Sequence, residues 1–155
     1  MKRRNISVTA TTTAPPAAVY ALLADGSTWP SWTPIESTEL EQPGNPPPEG
    51  ISAIRVNRMG RTTGRDQILE LVPNQRYAYA SLSGVPVRDY VGEVDLSPTP
   101  GGGTAIHWHS SFFPKTPGMG WILQRGLQRF LQRCATGLAE YAAASNNAPR
   151  NVGSA

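Results

Sequence analysis

The sequence predicts an α+β domain in which a curved, seven-stranded antiparallel sheet wraps around one long C-terminal helix, with two short helical pieces between the first and second strands. Three observations lead there. Seven segments between residues 5 and 114 are strand-like and are punctuated by Gly, Pro or Asn. The stretch from 14 to 34 breaks that rhythm with a short helical pattern and a proline-bounded turn. From Pro117 onward the apolar spacing turns helical and stays so to about residue 144.

The first strand is "NISVTATTT" (5–13), where Ile6, Val8 and Ala10 alternate with Ser7, Thr9 and Thr11. In "APPAAVYALLAD" (14–25), Val19, Leu22 and Leu23 share a helical face, and Pro15 and Pro16 sit in the first turn, where a missing N–H is tolerated. This helix ends near Asp25-Gly26. In "GSTWPSWTP" (26–34), Pro30 and Pro34 each remove a backbone donor and bias the preceding residue toward extended geometry, leaving a turn or a single helical turn. Trp29 and Trp32 on such a turn must rest against something apolar. Trp32 reads as a staple between short helix and sheet; Trp29 reads equally well as a staple or as the rim of a pocket.

Six further strands follow in "IESTELEQPG" (35–44), "EGISAIRVNRMG" (49–60), "RTTGRDQILELVPNQ" (61–75), "RYAYASLSG" (76–84), "VRDYVGEVDLSP" (87–98) and "TAIHWHSSFFP" (104–114). Turns at Met59-Gly60, Pro73-Asn74, Ser83-Gly84 and Pro100–Gly103 make them an antiparallel meander, while "PGNPPPEG" (43–50) is a stiff, extended loop. In the last element, Met119, Leu123, Leu127, Phe130, Leu131, Cys134, Leu138 and Tyr141 form an apolar stripe opposite a Gln/Arg face. That helix is roughly 40 Å long at 1.5 Å per residue. Its single stripe must be buried against the sheet. A sheet curled around a helix that does not fill it encloses a space, so a ligand cavity is expected. Residues 1–144 are expected to form one domain and 145–155 a polar, disordered tail.

Composition narrows the function. At 155 residues, 39% hydrophobic and 16% charged, with 15 Gly and 15 Pro, the chain suits one turn-rich sheet domain. Its formal charge of +3 is carried by arginine, since Lys2 and Lys115 are the only lysines. Arg55, Arg58, Arg61 and Arg65, and the ladder Arg125, Arg129 and Arg133, read as scattered surface charges. Without interleaved exposed aromatics or a known motif they predict no nucleic-acid partner. No run approaches the roughly 20 apolar residues of a membrane span, so no stable membrane insertion is expected. The basic start "MKRRNISVTATTT" lacks the apolar stretch of a signal peptide. A lone Cys134 excludes an internal disulfide and fits a reducing cytoplasm. A monomer or homodimer is expected.

Few residues are placed for chemistry. His107 and His109, the only histidines, share a strand face, the spacing of an H-x-H metal site. The sequence supplies no evident third ligand. The alternate set Ile106, Trp108, Ser110 and Phe112 is more apolar and should face inward, turning the histidines out. The expectation is no metal and no cofactor. Arg88 shares a face with Tyr90, Val94 and Leu96, so it should reach the cavity and either pair with a carboxylate such as Asp66 or await a ligand. Tyr77 and Tyr79 share a face that could reach the same space. No Ser/His/Asp order, Cys/His pair or phosphate loop is present, and "GGG" at 101–103 is a turn.

The segments "VTATTTAPPAAVYALLADGSTWPSWTPIES" and "GVPVRDYVGEVDLSPTPGGGTAIHWHSSF", with the terminal helix, closely resemble the polyketide cyclase/dehydrase group of the START-like SRPBCC superfamily. The resemblance spans about residues 5–144. It implies the helix-grip fold of the birch-pollen allergen, in a superfamily that includes lipid carriers, aromatase/cyclases, hormone receptors and chaperone co-factors. It also implies that the second short helix lies at the pocket entrance, and with it Trp29 and Trp32. An aromatase/cyclase would need a shaped cavity, a cation or donor for an oxyanion, and a base.

The expected function is binding or carriage of a small hydrophobic molecule in a cavity between sheet and helix. That cavity is predicted to be lined by Trp29, Tyr79, Arg88, Tyr90, Trp108, Ser110, Phe112, Leu123 and Leu127. The alternatives are a polyketide-type cyclase or dehydratase using the same cavity, and a protein-interaction module with a filled core. A binder needs an apolar cavity with one or two polar anchors; an enzyme adds a titratable group in a perturbing environment; an interaction module has no cavity and an exposed apolar patch.

Overall fold

The computed structural model describes residues 2–147. Strand β1 (Arg4–Thr12) leads into α1 (Pro16–Ala24), a 3-10 turn (Gly26–Thr28) and the single-turn helix α2 (Trp29–Trp32). Strands β2 (Ser37–Gln42), β3 (Ile54–Met59), β4 (Thr62–Val72), β5 (Arg76–Ser83), β6 (Val87–Pro98) and β7 (Thr104–Pro114) precede α3 (Gly120–Asn147). The sheet order is β1-β7-β6-β5-β4-β3-β2. Every neighbour except β1–β7 is consecutive in sequence, and all pairs are antiparallel. Helix α3 continues through Asn147, past the expected boundary at 144, and the rest of the expected tail lies outside the described residues. No helix among the described residues is long and apolar enough to cross a membrane.

The period-2 pattern becomes two faces of unequal chemistry. On β7, Thr104, Ile106, Trp108, Ser110 and Phe112 are buried, whereas His107 is exposed and His109 half-buried. On β1, Ile6 and Val8 face the same interior, opposite Ser110 and Trp108 in the register. Across the inner face runs a chain of aromatic contacts. Trp32–Trp29 centroids lie 4.7 Å apart, Trp29–Tyr77 5.9 Å, Tyr77–Tyr79 5.9 Å, Tyr79–Tyr90 6.2 Å and Tyr90–Phe112 6.3 Å. These are the spacings at which ring pairs attract beyond simple burial.

Helix α3 does not cover this face evenly. It packs on β1 and β7 and against α1 and α2. From Leu131 to Ala142 its stripe is buried (Leu131, Cys134, Ala135, Leu138, Ala139, Ala142). In the preceding turns Leu123, Leu127 and Phe130 are only half-buried, and Met119 is exposed. Gly137 lets α2 close on this helix, because a Cβ there would collide with the Trp32 carbonyl oxygen. The C-terminal half of α3 is therefore clamped, and its N-terminal half stands over the sheet as a roof.

One arginine holds the short helices down. Arg55 stands among surface arginines in the sequence, yet it is 2% exposed. Its Nε donates to Glu49 Oε1 at 2.8 Å, and its NH1 to the Tyr77 hydroxyl at 2.8 Å. The guanidinium also donates to the carbonyls of Leu23 (3.3 Å) and Ala24 (3.0 Å), which end α1 and have no partner within the helix. A single guanidinium thus caps α1, while Glu49 reaches on to the Gly26 amide at 3.1 Å.

Candidate functional site

Between the roofing half of α3 and the inner face of β3–β6 lies a half-enclosed, largely apolar cavity of about 240 Å³. Of the residues predicted to line it, Trp29, Tyr79, Tyr90, Trp108 and Leu127 do so. Phe130 and Cys134 continue the roof, and Ile35 and Met59 close one side. Trp29 meets both expectations for it. It is 6% exposed, its indole N–H donates to the Leu23 carbonyl at 3.1 Å, and its ring forms cavity wall. Trp32 donates instead to Thr28 Oγ1 at 3.1 Å and lies outside the cavity lining.

Four predicted lining residues lie elsewhere. Phe112 is fully buried behind Tyr90, one layer too deep. Leu123 sits half-buried on α3, one turn before the part that roofs the cavity. Ser110 is buried near the Tyr90 hydroxyl, whose ionisation it favours, but its Oγ makes no hydrogen bond of good geometry. Arg88 is the largest correction, because it is exposed. Pairing on β6 runs from Arg88↔Phe113 to Val91↔Ser111, so two residues of β6 face one of β7. Asp89 takes φ 52° to make this bulge. Val87 and Tyr90 then both point inward while Arg88 and Asp89 both point to solvent. The alternation that was to bring Arg88 inside is broken by the extra residue.

The polar groups in the cavity come largely from strands that sequence reasoning passed over. Asp66 on β4 opens onto the cavity and accepts a hydrogen bond from Asn57 Nδ2 at 2.8 Å. Asn57 is oriented in turn by the Thr38 hydroxyl, which donates to its Oδ1 at 3.0 Å. Burial pushes the Asp66 carboxyl from its usual 3.8 up to about 7, against the opposing pull of Arg55 and the Asn57 hydrogen bond. Asp66 was expected as a partner for Arg88; its neighbours are Asn57 and, opposite it in the β3–β4 register, Arg55.

The remaining titratable groups stay protonated near neutrality. Burial raises the Tyr79 hydroxyl well above its usual range, Tyr90 to about 12 and the Cys134 thiol to about 12. Trp108 Nε1 donates to the Tyr79 hydroxyl oxygen at 3.2 Å, which leaves the Tyr79 proton free to point elsewhere. The cavity therefore offers an apolar shell, hydroxyl donors on Tyr79 and Tyr90, and one carboxyl that exchanges its proton near pH 7. That combination can bind a ring system with a carbonyl or hydroxyl, and can give or take a proton beside it.

Comparison with known proteins agrees with this architecture. No curated protein matches the chain by sequence. Among solved structures, the START superfamily protein from Mycobacterium smegmatis aligns with a TM-score of 0.77 at 13% identity, over 89% of this chain and 96% of that one. The Zhui aromatase/cyclase from Streptomyces sp. R1128 aligns at 0.77 and 18% identity, over 96% and 99%. The allergen Ara h 8.0201 aligns at 0.75 and 16% identity, over 92% and 99%. At these identities the likeness establishes the helix-grip fold. The family described as polyketide cyclase/dehydrase and lipid transport matches residues 3–143, nearly the whole chain. The chain belongs to that polyketide cyclase/dehydrase and lipid transport family.

Proposed function

We propose that this protein binds a small, largely apolar molecule of one or two rings, bearing a carbonyl or hydroxyl, in the cavity between α3 and the sheet. The observation that carries the reading is the cavity itself, apolar on most of its wall and polar at Asp66, Asn57, Tyr79 and Tyr90. Size sets the class of ligand. An apolar cavity of about 150 Å³ holds benzene, so about 240 Å³ suits a slightly larger ring system. The same volume argues against full enclosure of a two-chain lipid, and an unfilled interior argues against a packed interaction module.

The position of Trp29 and Trp108 in the wall supplies the assay. Titration with a panel of aromatic alcohols and ketones, 2-naphthol among them, is expected to change tryptophan fluorescence saturably. Leu127→Trp, which adds bulk to the roof, is expected to abolish the change. Native mass spectrometry of freshly purified protein checks for a co-purified ligand. An absence of saturable binding across the panel, together with a ligand-free native mass, refutes the reading.

One observation favours a catalytic role in addition: the single cavity carboxyl that titrates near 7. With a polyketide-like substrate, the Asp66 carboxylate takes a proton from the carbon between two carbonyls, and the Tyr79 or Tyr90 hydroxyl donates to the enolate oxygen. The carbanion adds to a further carbonyl of the chain and protonated Asp66 gives its proton to the new alkoxide. Asp66 then takes the remaining α-proton and passes it to the departing hydroxyl, so that water leaves as the carbon–carbon double bond forms. Asp66→Asn should keep binding and abolish such turnover. Turnover by both proteins at no more than the uncatalysed rate leaves binding as the function, and equal turnover above it removes Asp66 from the chemistry.

A further inference from the structure

On the face of the sheet opposite the cavity, β6 and β7 bring together a second set of chemical groups. The antiparallel register sets Glu93 opposite His109 and Asp95 opposite His107. Period 2 puts all four side chains outside, while Val94, Leu96, Ile106 and Trp108 fill the core beneath them. The two imidazoles lie 4.5 Å apart between ring centroids. One nitrogen of each histidine and one oxygen of Asp95 all lie within 4.8 Å of one another. Asp95 is the third donor that sequence spacing alone did not supply.

We propose that His107, His109 and Asp95 form a site for a zinc-like divalent cation, with its fourth position open to water. The donor set, two imidazoles and one carboxylate, is that of a borderline transition-metal ion rather than of magnesium or calcium. Ligand atoms about 2.0–2.2 Å from a common ion stand closer together than 4.8 Å, so the rings need only a small closing movement. His109 Nε2 already meets Asp95 Oδ2 at 2.6 Å, and these two atoms separate slightly to admit the ion.

The supporting groups are arranged as such a site requires. Arg76 holds the other oxygen of Asp95 at 2.6 Å and Glu93 Oε1 at 2.7 Å, and it also meets Glu70 at 3.2 Å. Glu93 Oε2 lies 3.4 Å from His109 Nδ1, so a small turn of the ring brings its second nitrogen into hydrogen-bond reach of that carboxylate. His107 Nε2 meets the Ser7 hydroxyl of β1 at 2.7 Å, which fixes the second ring. Three carboxylates share one guanidinium here, leaving net negative charge beside two imidazoles. A surface ion-pair network explains Arg76, its carboxylates and the His109–Asp95 contact; it does not explain why His107 is gathered at the same point.

The test is isothermal titration of untagged, chelator-stripped, full-length protein with zinc chloride near pH 7.5, with magnesium chloride as control. One zinc per chain is expected and no magnesium. His107→Gln and His109→Gln should each weaken zinc binding by at least about tenfold, and Glu93→Gln should do so by about tenfold through ring orientation. Asp95→Asn should match the histidine variants, but it also removes an Arg76 partner. His107→Gln, at an exposed ring whose one hydrogen bond among the described residues is to Ser7, is therefore decisive if Asp95→Asn folds poorly. Absence of one-to-one zinc binding overturns the proposal, and so does affinity unchanged in the His107→Gln, His109→Gln double variant.

Discussion

The ionisation of Asp66 makes the folded protein sensitive to pH in a calculable way. Its carboxyl is raised from 3.8 to about 7 by burial, so the folded state holds this proton more tightly than the unfolded chain does. The sign follows. Asp66 costs nothing below 3.8, where both states are protonated, and stability falls as pH rises toward 7. Above 7 the loss is complete. At about 1.4 kcal/mol for each tenfold change in the ionisation constant, the full cost is about 4 kcal/mol. Water entering the cavity screens the charge, so this is an upper limit.

Replacing Asp66 by Asn removes the ionisation and keeps an oxygen for the Asn57 bond. Its stability relative to the parent should therefore improve by about 2–3 kcal/mol between pH 5 and pH 8. Any fixed difference in hydrogen bonding cancels in that comparison. For a chain of this length the improvement is a relative gain of about 5–10 °C in Tm. Urea and thermal unfolding of both proteins at the two pH values measure it. Parallel curves, with the difference between proteins constant to within about 0.5 kcal/mol, would refute the assignment of a near-neutral carboxyl to the cavity.

Three further outcomes follow from the packing. Leu138→Ala, at a fully buried position on the clamped half of α3, should cost about 2–5 kcal/mol, while Leu127→Ala, which borders the cavity, should cost about 1 kcal/mol; urea unfolding compares them. Arg55→Met strands Glu49 and two helix carbonyls and should cost about 3–5 kcal/mol, whereas Arg88→Met in solvent should stay within about 0.5 kcal/mol. Gly92→Ala places a methyl group against the Tyr79 ring and should displace it, weakening 2-naphthol binding in the fluorescence titration more than it lowers Tm.

The fold was legible because its signals are local. Alternation on β1 and β7, proline in the first turn of α1 and the long stripe on α3 each appear within a short window, and each survives in the structure. The aromatic part of the site was legible for the same reason. Tyr79 and Trp108 lie on strands whose alternation is regular through them, so parity alone sent them inward. Arg88 departs from the expectation because parity is broken beside it on β6. A bulge needs a residue at positive φ, and Asp89 is among the side chains that tolerate it, but "VRDYV" carries no glycine to announce the turn.

What no window could contain is the partnership of distant charges. Arg55 and Asp66 face each other across β3 and β4, and side by side their charges would hold the carboxyl ionised at neutral pH. They are kept from doing so by residues 23, 24, 49 and 77, which claim the donors of Arg55 for the end of α1, a carboxylate and a phenol. Asp66 is left with one amide donor and a neighbouring cation whose donors are committed elsewhere, and burial then outweighs both. The same guanidinium thus performs two tasks. By fastening α1 and the turn that carries Trp29, it fixes a cavity wall; with its donors committed there, it leaves that cavity a carboxyl that exchanges its proton near pH 7. Neither task can be assigned to Arg55 from its sequence neighbours, because each depends on a contact more than twenty residues away or on a strand pairing that only the closed sheet creates.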